Sequence, residues 1–501
     1  MRLDNEWDNI VEKALRKWNV PGTAIAVVHG GESCVKAYGL AELPARKLET
    51  NSIFPTMSTN KAFLAAATAL VIDDTKASEQ PLTWDTPISS VIPDDFGPSD
   101  ITFEDALSHR SGQPGHEPKL SLASRDEDLQ NLVRSMRHLS PAYPLRTTWE
   151  YNTFMYMVVS HALVQKMGES LESFLQRRIW LPLGMGDTYF STQKVRKMPG
   201  IQERLVKGYE WVSEAKKYKL YEPINYQPLE GVGSMASTVL DYEKWIKALL
   251  TKSTPLSAES YEALFHPRSI LSKPDSVSAS LNCAHLYALG WFVDNYQGYP
   301  FYWHTGGWPG VSILLGLIPD KQFGFVMMSN SRYAGRELQI DLYHCLINRC
   351  LNLPIPQSII DNGEQGPSGT VGLQKPETSI EATARLFSKH AGTSTAPILP
   401  LSSYVGTYIN KGYGSITINL DKSNGSLHAD LLDRVTPSRM DLEHVTRNYF
   451  LAKIYEPGWD SAGIEYYVTE FRISSNDKVD KVGFNFEPAL GEGELIWFTL
   501  A

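Results

Sequence analysis

Two strand-rich stretches stand more than 250 residues apart in this chain, and a sheet made from them must be closed from both ends of one long segment. Residues 24–38 (AIAVVHGGESCVKAY) read as two short strands about the turn-forming pair Gly30-Gly31. Residues 310–330 (GVSILLGLIPDKQFGFVMMSN) read as a second hairpin, with Pro319-Asp320-Lys321 between two aliphatic runs. Between them the hydrophobic period is helical or the sequence loop-like, with helices expected over 62–73, 156–168 and 241–250, and one more over 337–350 after the late strands. The first 18 residues place Trp7, Ile10, Val11, Ala14, Leu15 and Trp18 on one helical stripe. The reading is an α+β domain: an antiparallel sheet flanked by helices, with a helical region inserted between its halves.

A length of 501 residues exceeds what one hydrophobic core sustains, so at least two domains are expected. The composition shifts after Asn352, where NLPIPQSIIDNGEQGPSGTVGLQKPET is linker chemistry. Beyond Pro400 short alternating strands follow one another: Ile416, Ile418 and Leu420, a turn at Asn424-Gly425, then Leu427, Ala429 and Leu431. The expected division is 1–352, a linker over 353–400, and a small antiparallel barrel or sandwich over 401–501.

Several function classes are disfavoured at once. A formal charge of −9 without long single-sign runs argues against nucleic-acid binding. The start lacks the apolar core of a secretory signal, and the longest apolar run, 62–72, is far short of the roughly 20 residues that cross a bilayer. A soluble, cytoplasmic protein with no membrane partner is expected. The four cysteines form no CxxC and the histidines no HExxH, so neither a metal nor another cofactor is expected.

The chemistry concentrates at FPTMSTNKAF, residues 54–63, where Ser58 and Lys61 stand three apart at the start of an apolar helix. That spacing puts both side chains on one helical face. A desolvated amine held close can take the proton of a serine hydroxyl, and the helix N-terminus aims N–H groups at a developing oxyanion. WEYNTFMYMVVSH supplies Tyr151 ahead of a helix, and WHTGGWPG supplies His304, Thr305, Gly306 and Gly307 ahead of the late strands.

These three segments, in this order, resemble the serine β-lactamase and penicillin-binding-protein superfamily, in its class C-like esterase, amidase and transesterase branch (peptidase family S12 type). The resemblance spans about residues 20–330 and includes LSHRSGQPGHE, PLGMGDTYFS, GVGSMASTVLDYEKW and YALGW. It implies a β-lactamase/transpeptidase-like fold, with Ser58 as the nucleophile of an acyl-enzyme and Lys61 as its proton acceptor or the group that tunes it. Tyr151 becomes the general base and acid, and the N–H groups of Ser58 and Gly307 the oxyanion hole. His304, in place of the lysine that opens the third motif in β-lactamases, would offer a directional hydrogen bond rather than a charge. With Asn152, Thr153, Gly306 and Trp308 it makes up the implied substrate-binding set. Thr153 stands where the family pattern has asparagine; Asn152 is the neighbouring substitute. The C-terminal segment resembles the lipocalin-like β domain appended to some of these enzymes.

The implied function is a serine hydrolase of small-molecule esters or amides that is a poor β-lactamase. Acyl transfer to another acceptor in secondary metabolism and a non-catalytic binding protein retaining the fold are the alternatives, and homo-oligomers are possible. His109 and His116 are read as loop-stabilising residues, and Trp291, Trp303 and Trp308 as pocket or core.

Overall fold

The computed structural model describes residues 3–98, 100–213, 215–223, 227–229, 231–355, 377–388, 395–457 and 463–501. They pack as two compact units: residues 1–111 with 145–372, and residues 112–144 with 373–501.

In the first unit a nine-stranded antiparallel sheet is closed from both ends of the segment. Its strands are β1 (Gly22–His29), β2 (Glu32–Glu42), β3 (Arg46–Lys47), β4 (Ser269–Ile270), β5 (Leu286–Tyr287), β6 (Phe292–Tyr296), β7 (Tyr299–Trp308), β8 (Val311–Ile318) and β9 (Phe323–Ser329), in the order β3-β2-β1-β9-β8-β7-β6-β5-β4. The earliest strand pairs with the last, Thr23 opposite Ser329 and Ile25 opposite Met327. Strands β8 and β9 are buried along their whole length, which explains their unbroken apolar runs: both faces of the sheet are covered.

On one face lie α1 (Asn5–Trp18) and the later α5 (Tyr333–Leu351); Trp7, Val11, Leu338 and Leu342 pack over Ile25 and Met327. The expected amphipathic stripe of α1 is this contact. Also in this unit are α2 (Asn60–Thr75), α3 (Thr153–Met167) and α4 (Val239–Thr251), with Phe63 of α2 stacked on Trp245 of α4 at 4.7 Å. From Asn60 to Ile72 every residue of α2 is buried, so the longest apolar run of the chain is a core helix. Among the described residues no helix is long and apolar enough to cross a membrane.

The second unit holds a closed antiparallel barrel of eight strands, from Gly406–Asn410 to Ile496–Leu500. Closure decides between the barrel and sandwich readings and leaves no free edge. Ile416, Ile418, Phe450, Phe471, Phe484 and Phe498 are all but fully buried, and packed side chains of this kind fill its core. Residues 112–144 belong to this unit. There the His116 ring meets the Tyr413 hydroxyl at 2.8 Å, the His116 backbone N–H donates to Glu487 at 2.7 Å, and Lys119 donates to Ser135 at 2.9 Å. His116 thus serves structure, and burial lowers its pKa to about 4. Of the linker expected over 353–400, residues 356–376 and 389–394 lie outside the described residues. Within it stands α6 (Ser379–Leu386), whose Ala382 packs against Leu451.

Where the chain leaves and re-enters the first unit, the fully buried Asp105 grips both ends. It accepts from Arg110 Nε at 2.7 Å, from Arg146 at 2.8 and 2.9 Å, and from the Thr102 hydroxyl at 2.8 Å. Burial alone would raise its pKa, but Arg146, Thr102 and Arg110 outweigh it and hold the carboxyl below its ordinary value. Removing one partner of a buried ion pair costs about 3–5 kcal/mol, because the remaining charges stay desolvated. Asp105→Ala is therefore expected to lower the unfolding free energy of the first unit by about 3 kcal/mol. Because the folded pKa is depressed, this stabilisation is fully present above about pH 4 and lost as pH falls below it. Urea unfolding at pH 7 checks the magnitude, and a loss under about 1 kcal/mol would refute it.

Candidate active site

The nucleophile turn is built before the helix that follows it. Thr56 donates its N–H to the Met235 carbonyl at 2.8 Å, and Met57 then adopts a positive φ of 50°, a left-handed conformation rare for a non-glycine residue. A 3-10 turn, Met57–Thr59, leads into α2, and the Thr59 hydroxyl meets the Tyr242 hydroxyl at 2.8 Å. Every residue from Ser52 to Ile72 is buried except Ser58. The turn therefore presents one side chain to solvent, on a segment otherwise fixed in the core.

Lys61, fully buried as the second residue of α2, donates to Ser58 Oγ at 3.1 Å. Its Nζ also lies 4.9 Å from the centre of the Tyr151 ring and 5.2 Å from that of Tyr156. Aromatic faces solvate an ammonium group without neutralising it. The structure thus brings Ser58, Lys61 and Tyr151 together, as their place in the three motifs implies.

Tyr151 is held by its surroundings. Asn152, fully buried, is the N-cap of α3: its side chain accepts the Met155 N–H at 2.9 Å. Thr153 is the first residue of that helix and half-buried. The Asn152 N–H donates to His109 Nδ1 at 3.0 Å, and the His109 ring lies 4.4 Å from that of Tyr151. Burial, with Lys61 and His304 nearby, pushes the His109 pKa well below 6.5, so the ring is neutral and its Nδ1 can accept.

His304 on β7 is also buried. Its Nδ1 donates to the Thr305 carbonyl at 2.6 Å, and its Nε2 accepts from the Tyr287 hydroxyl at 3.0 Å. Both ring nitrogens are thus engaged by the protein, where a hydrogen bond to substrate was expected. The ring is neutral: burial first, then Lys61, lowers its pKa to about 3. Further along β7, a Cβ on Gly306 would come within 2.5 Å of the Thr56 carbonyl, so only glycine lets this strand pass so close to the nucleophile turn. Gly290, in the segment YALGW, plays the same part behind Lys61, where a Cβ would lie 2.8 Å from the Lys61 carbonyl.

Three residues beside the site carry no motif. Arg332 and Arg336 flank Gly307: the position of its missing Cβ is 3.6 Å from Arg332 Nε and 3.9 Å from the Arg336 guanidinium. Arg336 donates to the Gly306 carbonyl at 3.2 Å; burial lowers it to about 10, so it stays charged at neutral pH. Among the described residues neither guanidinium is in an ion pair. Buried Glu210 accepts from the N–H groups of Gly310 at 2.8 Å and Arg332 at 2.6 Å, fixing the turn after β7 and the start of α5. Only burial against these elements, which the sequence does not display, would have singled it out. Trp308 and Pro309, with Pro55, Met57, Val206 and Tyr221, line an apolar groove next to the nucleophile turn. Trp303 is core and Trp291 is buried.

Fold and site together define an enzyme of the serine β-lactamase and penicillin-binding-protein superfamily. Residues 7–345 match the family described as Beta-lactamase, and residues 391–499 match a domain of unknown function, DUF3471. An unguisins hydrolase of Aspergillus campestris is 31% identical over 99% of this chain and 91% of its own length. Two solved structures share the fold. The octameric penicillin-binding protein homologue from Pyrococcus abyssi has a TM-score of 0.58 at 18% identity, covering 98% of each chain. D-amino acid amidase from Ochrobactrum anthropi has a TM-score of 0.57 at 21% identity, covering 69% of this chain and 99% of its own. The chain belongs to the beta-lactamase family of serine hydrolases.

A neutral, buried His304 has a measurable signature. Unfolding returns its pKa to about 6.5, so between that pH and about 3 the unfolded chain binds a proton that the folded chain does not. Stability contributed this way is complete above pH 6.5 and falls as pH drops. His304→Gln is expected to reduce proton uptake on unfolding at pH 5 by about one proton, read from the slope of unfolding free energy against pH. An unchanged slope would show that His304 is protonated in the fold.

Proposed function

We propose that this enzyme cleaves an amide or ester through an acyl-enzyme on Ser58. The observation that carries the reading is the contact of buried Lys61 with Ser58 Oγ, on the one residue of 52–72 that is not buried, at 3.1 Å. Tyr151 takes the serine proton as Oγ attacks the carbonyl carbon, passes it to the leaving group and then activates water, while the Lys61 ammonium stabilises the charge that develops. The backbone N–H groups of Ser58 and Gly307 stabilise the tetrahedral oxyanion. The likeness to an unguisins hydrolase over 99% of the chain supports hydrolysis as the overall reaction.

The acyl donor lies along β7, with half-buried Thr153 on the side of α3, while the buried Asn152 caps that helix instead of meeting the donor. The apolar groove past Trp308 receives a hydrophobic side chain. On charge, the case for a poor β-lactamase rested on a histidine replacing a lysine. Arg332 and Arg336 supply positive charge beside Gly307, so that case no longer stands on His304 alone.

Two measurements test the chemistry. Peptide mapping after fluorophosphonate treatment is expected to find the adduct on Ser58, and an adduct elsewhere ends the mechanism. Lys61→Ala and Tyr151→Phe are each expected to lower kcat by at least about a hundredfold while the fold persists. Near-normal turnover in either variant removes that residue from the reaction. For specificity, Trp308→Ala is expected to raise KM for donors with bulky apolar acyl groups more than for acetyl donors; equal changes would show that the groove takes no part.

A further inference from the structure

Outside the site, among the described residues, one group of side chains has the donors of a metal centre and no part in the reaction. We propose that Cys283, His285 and Asp294 bind one divalent cation of the zinc type. Cys283 and His285 stand one residue apart just ahead of β5, and Asp294 lies on β6. Pairing of these strands, Phe292 opposite Tyr287 and Val293 opposite Leu286, brings the three together. Their donor atoms all lie within 4.8 Å of one another. The sequence shows no zinc signature because the third donor comes from across a hairpin.

The geometry suits a tetrahedral site. Bonds of roughly 2.0–2.3 Å to sulfur, nitrogen and oxygen place neighbouring donors about 3.4–3.6 Å apart. Cys283 Sγ lies 3.8 Å from Asp294 Oδ1, close to that spacing. His285 Nδ1 and the same Oδ1 are 2.6 Å apart, joined by the hydrogen bond that a cation would replace, opening the pair by about 0.8 Å. The supporting contacts are in place. Trp303 Nε1 donates to Asp294 Oδ2 at 2.6 Å and so leaves Oδ1 turned to the other two donors. The Asn295 N–H donates to Cys283 Sγ at 3.3 Å and helps to orient it, while burial and Asp294 hold the metal-free thiol protonated.

Asp294 is buried, whereas Cys283 and His285 are half-buried, so the cation has an entry path and water can complete its shell. Binding exchanges the thiol proton for the metal: the S–H bond breaks, an S–M bond forms and the proton leaves to solvent. Thiolate, carboxylate and dication then sum to zero charge, which suits a partly buried site. The mixed sulfur, nitrogen and oxygen set selects zinc over calcium or magnesium. The effect is structural. Trp303 stacks on Phe292 at 4.3 Å, Phe292 lies 5.2 Å from His304, and the cation would brace the corner from which β7 runs to Gly306.

The test uses the full chain, freed of metal by dialysis against a chelator and titrated with cobalt(II). A thiolate-to-cobalt charge-transfer band saturating at one cobalt per chain, and lost on adding zinc, is expected. Cys283→Ser should abolish the band, His285→Asn and Asp294→Asn should weaken binding at least about tenfold, and Cys34→Ser should change nothing. Absence of the band in the unmodified chain, or its persistence in Cys283→Ser, overturns the proposal. Should that variant not fold, X-ray absorption of the zinc-loaded chain decides: one sulfur in the zinc shell supports the site and none refutes it.

Discussion

Everything in the first unit follows from one pairing, that of β1 with β9. These strands come from opposite ends of the segment, yet Thr23 to His29 lie in continuous register against Phe323 to Ser329. Non-local pairing of this kind carries a loop-closure cost that only the finished core repays. Both faces of the pair are therefore packed: α1 and α5 cover one, and β1, β8 and β9 are buried almost throughout. The long connection between the two ends is left to supply the helices that carry Ser58, Lys61 and Tyr151. A closed frame thus holds parts contributed by distant segments, and the frame sets their distances.

Within the frame, the site is governed by a buried ammonium group. Lys61 sits in a region that expels water, and two neighbouring imidazoles answer it by staying neutral: His109 holds the N–H of Asn152, and His304 holds Tyr287. A second cation at either ring would be costly at such close quarters. The histidine that opens the third motif is thus better understood as a neutral brace than as a weakened lysine. Positive charge returns on another element, through Arg332 and Arg336 at the start of α5.

Much of this was legible in the sequence, for reasons particular residues make plain. The stripe from Trp7 to Trp18 and the alternation around Ile416 and Leu427 are periodicities, and periodicity is what packing on one face leaves in a sequence. Ser58 and Lys61 were legible because one helical turn joins them. His304 was placed correctly in the chain but not in its bonding, since the identity of a histidine says nothing of which atoms meet its two nitrogens. Glu210, Arg332 and the Cys283–His285–Asp294 group left no trace, because each depends on strands that meet only after the sheet has formed. The expected domain of residues 1–352 takes in 112–144, and no local signal reports that these residues group with 373–501 instead.

Ser58 is the one half-buried position in an otherwise buried run from Ser52 to Ile72, and this separates two kinds of selection along one stretch of chain. At the flanking positions a substitution disturbs packing, and its cost appears in the amount of folded protein. At Ser58 an exchange for alanine removes a half-buried hydroxyl that meets Lys61, a far smaller loss of packing than at its neighbours, so folded yield and catalysis come apart there. A saturation survey that scored abundance and turnover separately would trace a long intolerant block in the first map with a single gap, and that gap would be the deepest point of the second.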